Sequence, residues 1–125
     1  MKKSNKKCIF SFFFDLQLNI KTFHLLTTSY AKHKASDKLY DSIIELTDKF
    51  LEVYLGKYGK HEITTETITF KHIPDNKIID YLKNAISFLQ NDIFNYITEN
   101  DTELLNIRDE FLESINQSIY LLRLN

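Results

Sequence analysis

Apolar residues recur every three to four positions along most of this chain, and turn-forming residues bound each such stretch. Ile9, Phe12, Leu16, Ile20 and Phe23 share one helical face, which predicts a first helix over 9–28. Phe14, Leu18 and Leu25 lie on nearly the opposite side, so this helix carries more apolar surface than one bundle core can cover. Leu39, Ile43, Leu46, Phe50 and Tyr54 form the main stripe of a second helix over 33–57, with Gly56 and Gly59 at its end. Ile79, Leu82, Ile86, Leu89, Ile93 and Ile97 predict a third over 77–98. Leu104, Phe111, Ile115, Ile119 and Leu122 predict a fourth over 103–123. Thr27, Thr28 and Ser29 join the first pair, and Asn100, Asp101 and Thr102 separate the last. Residues 58–76 lose the helical period. Their EITTETITF run is rich in β-formers, but a lone strand has no partner, so an extended crossover is expected, closed by Pro74, Asp75 and Asn76.

Two helical hairpins joined by one long crossover predict an all-α, four-helix bundle of ferritin-like connectivity. Composition agrees. With 2 Gly and 1 Pro in 125 residues there are too few turn formers for a sandwich or barrel, and 43% hydrophobic residues are enough for a core. The expected organisation is a basic flexible tail over 1–8 and one bundle domain over 9–125. A net charge of -1 makes the whole chain no obvious polyanion binder, although Lys2, Lys3, Lys6 and Lys7 give the tail a choice between simple solubility and a weak DNA contact. The single cysteine, Cys8, excludes an intrachain disulfide and a cysteine-based zinc site, which fits a reducing, cytoplasmic setting. The apolar run Cys8–Phe14 stops at Asp15 with no cleavage site behind it, so no signal peptide is expected, and no stretch is long enough to imply a membrane partner.

Candidate chemistry concentrates on the second helix. His33, Asp37, Asp41, Glu45, Asp48 and Glu52 follow one another at three- or four-residue intervals, and the acids fall within about 120° of one another, opposite the apolar stripe. Acidic stripes are most often solvated faces. Ile44, Leu51 and Leu55 are interleaved with this one, however, which predicts a subunit interface there. Imidazole nitrogen and carboxylate oxygen together suit divalent iron, manganese or zinc. His24, near the end of the first helix, is most simply a hydrogen-bonded structural group, and gains interest only through its neighbours. His61 and His72 fall in the crossover as surface residues, and Arg108, Asp109 and Glu110 form a solvated turn. No Gly-rich phosphate loop, nucleophile elbow or Cys–His pair is present.

The stretch FHLLTTSYAKHKASDKLYDSIIELTDKFLEVYLG resembles the ferroxidase segment of Dps-type miniferritins. In that family a first histidine precedes a second, an acid follows one turn later, and an Asp-x-x-x-Glu lies about three turns beyond. His24, then His33, Asp37 and Asp48-Lys-Phe-Leu-Glu52 repeat this order, with the acids 4, 15 and 19 residues after His33. The resemblance implies that His24, His33, Asp37, Asp48 and Glu52 are iron ligands. It also implies that the site forms between two copies of a homo-oligomer, and that Fe(II) is oxidised there by oxygen or peroxide. The interval between His24 and His33 is about three shorter than the family pattern, Leu25 stands where Trp is usual, and no Glu-x-x-His follows in the C-terminal half. The core HKASD…DKFLEVYLGKYG is also similar to short uncharacterised proteins of large DNA viruses and phages. The competing expectations are a helical dimerisation or interaction module that binds no metal, and a metal-binding bundle without redox turnover.

Overall fold

The protein is described by a computed structural model covering residues 8–59 and 65–124. Its elements are α1 (Ile9–Leu26), α2 (Tyr30–Tyr58), a 3-10 turn at Asp75–Lys77, α3 (Ile78–Gln90), a second 3-10 turn at Asp92–Asn95, and α4 (Thr102–Leu122). Among the described residues there is no strand. The lysines of the expected tail lie outside the described residues. Cys8, assigned to that tail, instead begins the bundle as the N-cap of α1.

Side-chain contacts give the helix directions. Phe13 in α1 meets Phe50, late in α2, while His24, late in α1, meets His33, early in α2. Phe12 stacks on Phe88 near the end of α3, and Asn19 bonds Tyr81 near its start. Lys57, at the end of α2, pairs with Asp101, the N-cap of α4. Both α1 and α4 therefore run antiparallel to α2 and α3. The parallel pair α2 and α3 needs a connection running the length of the bundle, and the described residues 65–74 follow α1 as an extended segment of it.

The core is one cluster contributed by all four helices, with Phe13, Phe23, Phe50 and Phe111 as its largest fully buried side chains. Phe13, not Phe12, belongs to the core face of α1. Phe12 is half-buried and lies flat against Phe88 at 3.8 Å. The second apolar side of α1 stays uncovered, with Phe14, Leu18 and Leu25 exposed.

Polar residues four apart on α1 hold the crossover. Glu66 Oε1 accepts the Cys8 backbone N–H at 3.1 Å and the buried Ser11 hydroxyl at 2.9 Å. A carboxylate thus sits at the start of a helix whose own N-cap side chain makes no bond. One turn on, Asp15 Oδ1 accepts the Thr69 N–H at 2.7 Å. A further turn on, Asn19 Oδ1 accepts the Lys71 N–H at 3.1 Å. The Tyr81 hydroxyl accepts from Asn19 Nδ2, and burial pushes that phenol up to about 12, so it remains neutral.

The third helix is shorter than its apolar pattern predicts and ends at Gln90. Asn91 donates from its side chain to the Ser87 carbonyl, and Arg108 Nη1 takes the Leu89 carbonyl at 2.8 Å, so the last turn is satisfied without further helix. Ile93 and Ile97 still reach the core from the 3-10 turn and the loop behind it.

Candidate functional site

The α1–α2 turn brings His24 and His33 together. Thr27 ends α1, its N–H bonding the Phe23 carbonyl, and Ser29 begins α2 by accepting the Lys32 N–H on its hydroxyl. A connection this short brings the last turn of one helix against the first turns of the next. The two imidazoles stack with centroids 4.0 Å apart and planes 19° apart. His24 Nδ1 lies 2.9 Å from the His33 carbonyl oxygen, and His33 Nδ1 lies 2.9 Å from the His24 carbonyl oxygen. A carbonyl oxygen only accepts, so each Nδ1 carries the hydrogen and donates. In the neutral form of each ring Nε2 is then left with its lone pair, the tautomer that suits a metal-ligating histidine. His24 is buried, His33 is half-buried, and the Tyr30 ring lies beside His33.

Asp37, one turn beyond His33, places Oδ1 3.8 Å from His24 Nε2. Asp48 and Glu52 do not join this group. They are exposed on the same helix, about 16 and 22 Å further along its axis at 1.5 Å per residue. Of the five residues predicted as ligands, one chain therefore gathers His24, His33 and the edge of Asp37. Among the described residues no group of three His, Cys, Asp or Glu side chains could hold a metal ion. The apolar residues that argued for an interface divide as well. Leu51 is buried in the chain's own core, Leu55 packs against that core, and Ile44 is half-buried. Covered to this extent within one chain, they do not by themselves require a second copy. His72 is exposed, and His61 lies outside the described residues.

A second polar cluster was missed in the sequence reading. Asp101, read there as a plain helix cap, is buried and turns its carboxylate away from α4. It accepts from Lys57 Nζ at 2.5 Å, from the Tyr58 hydroxyl, and from the Thr98 backbone N–H at 2.8 Å. Burial alone would push its pKa up, but the bonds from Lys57, Tyr58 and Thr98 outweigh that and hold the carboxyl at about 2. The LGKYG run at the end of α2, whose Lys57 and Tyr58 it needs, was the available signal.

Fold and site define an all-α bundle with a paired-imidazole cluster at its first turn. The chain belongs to DUF5856, a family of unknown function whose model matches residues 24–122. Over 37 residues it is also 49% identical to an uncharacterised 14.6 kDa protein from the mobD-ri intergenic region of Enterobacteria phage T4. That match covers 30% of this chain and 29% of the phage protein, a little under a third of the relative's length. No solved structure gives a significant match. The resemblance to Dps-type miniferritins is thereby corrected. The matching family has no assigned function, and neither comparison shows a ferritin. The intervals that carried it have a simpler source, since any acidic face repeating at helical pitch generates spacings near whole turns.

Proposed function

We propose that two copies of this chain together bind a divalent transition-metal ion, to which each can offer Nε2 of His24 and His33 and the adjoining Asp37 carboxylate. The reciprocal Nδ1–H bonds carry this reading, because they occupy Nδ1 of both rings and leave Nε2 as the nitrogen a metal can take. With the His24 ring neutral, its Nε2 meets an Asp37 oxygen with no hydrogen between them, and a cation set between the two satisfies both. Bonds near 2.0–2.2 Å place two ligands of one ion roughly 3–4 Å apart, which spans the separation in this pair. Imidazole with carboxylate suits iron, manganese or zinc.

One chain falls short of a closed coordination shell, so the remaining donors come from the second copy and from water. Asp48 and Glu52 are exposed on α2 and are the carboxylates a two-fold mate can offer. Titration calorimetry with Zn(II), Mn(II) and anaerobic Fe(II) tests the reading. The expected result is about one ion per chain or per pair, lost in His24→Ala and in His33→Ala. Loss in Asp48→Ala with Glu52→Ala, together with a dimer mass in solution, assigns those acids to the mate. Absence of binding above buffer level contradicts the proposal and favours the second reading, a metal-free helical interaction module. The uncovered row Phe14, Leu18 and Leu25 on α1 favours that alternative.

A further inference from the structure

Exposed apolar side chains crowd one end of the bundle. Leu25 and Leu26 close α1 with 63% and 52% of their surface exposed, and Tyr30 opens α2 at 75%. Leu124, 46% exposed at the end of α4, joins them across a 380 Å³ cleft floored by Ala31, Ala35 and Leu121 and flanked by Lys34 and Lys38. Cations gather in the same region. Residues 16–36 and 114–124 contain no Asp or Glu, yet they carry Lys21, Lys32, Lys34 and Arg123. Asp37, Asp75 and Asp80 also lie towards this end but are outnumbered by its cations, while the opposite end gathers Asp92, Glu99, Asp101 and Glu103 around Lys57.

We propose that this tip docks on an anionic lipid surface. Leu25 and Leu26 are consecutive residues at a convex turn, and a rigid partner would need a matching pocket for each. The interfacial zone of a bilayer deforms to take both. Tyr30 suits the headgroup level, where its ring is apolar and its hydroxyl wet. The lysines and Arg123 then face lipid phosphates. No helix among the described residues is long and apolar enough to cross a membrane, so the contact is with the surface only. This inference is independent of the metal proposal, because none of its residues is a ligand there.

Co-sedimentation with vesicles provides the test, comparing pure phosphatidylcholine with a mixture containing about one-third phosphatidylserine. The expected result is binding to the anionic vesicles alone, weakened by added salt. It falls at least about tenfold in Leu25→Ser with Leu26→Ser, and again in Lys34→Gln with Arg123→Gln. All four positions are exposed, and an unchanged thermal transition confirms that the variants fold. Four results overturn the inference: no pelleting with anionic vesicles, equal pelleting with neutral ones, indifference to the leucine substitutions, or retention by duplex DNA or an acidic polypeptide in place of vesicles.

Discussion

Asp101 shows what one buried carboxylate does in this bundle. It ties the end of α2 to the turn before α4 through Lys57, Tyr58 and the Thr98 backbone. Asp101→Asn keeps the volume and removes the charge, leaving Lys57 with Glu103. Unfolding in urea should then require about 2 kcal/mol less, the range for a bond to a charged group. The pH dependence has a definite sign. The folded carboxyl sits at about 2 against an ordinary 3.8, so between these values the unfolded chain binds more protons. Its stabilisation is complete above the ordinary value and is lost as pH falls through about 2. Acid titration of the urea midpoint should show a fall in the wild type below the ordinary carboxylate range that is shallower in Asp101→Asn. Identical curves would show that the carboxylate is not anchored.

Elements were legible in the sequence where apolar spacing decided them, and illegible where polar side chains did. The stripes of α2 and α4 predicted helices whose cores the structure confirms, from Leu39 to Tyr54 and from Leu104 to Leu122. Ile93 and Ile97 kept the apolar spacing of α3 going, but Asn91 and Arg108 satisfy its terminal carbonyls earlier, so the helix stops while the spacing continues. The crossover was recognised as extended, yet its attachment was not, because Ser11, Asp15 and Asn19 look like scattered polar interruptions in an apolar helix. Once aligned at four-residue intervals they read as a row of acceptors and donors for Glu66, Thr69 and Lys71. Asp15→Ala with Asn19→Ala should release that row. Amide exchange at Thr69 and Lys71 should accelerate at least about tenfold while the α2 core amides keep their protection. Equal acceleration across α2 would mean that the substitutions unfold the bundle instead of freeing the crossover.

At the scale of the molecule, the antiparallel contact of α1 with α2 is what creates the candidate site. A reading of sequence alone placed His24 and His33 among five ligands, and nothing in residue spacing told which would meet. The short turn decides it by stacking the two imidazoles and letting each Nδ1–H donate to the other residue's backbone carbonyl, leaving Asp48 and Glu52 several turns away. Family membership supplies no function to lean on, so the account stands on the protonation pattern of two rings. Long-range proton–nitrogen NMR of the imidazoles measures that pattern directly. His24 and His33 should both be Nδ1–H tautomers with bare Nε2, and Zn(II) should move both Nε2 resonances upfield while the exposed His72 stays unchanged. A hydrogen on Nε2 of either ring in the neutral protein, or resonances indifferent to the metal, would contradict it.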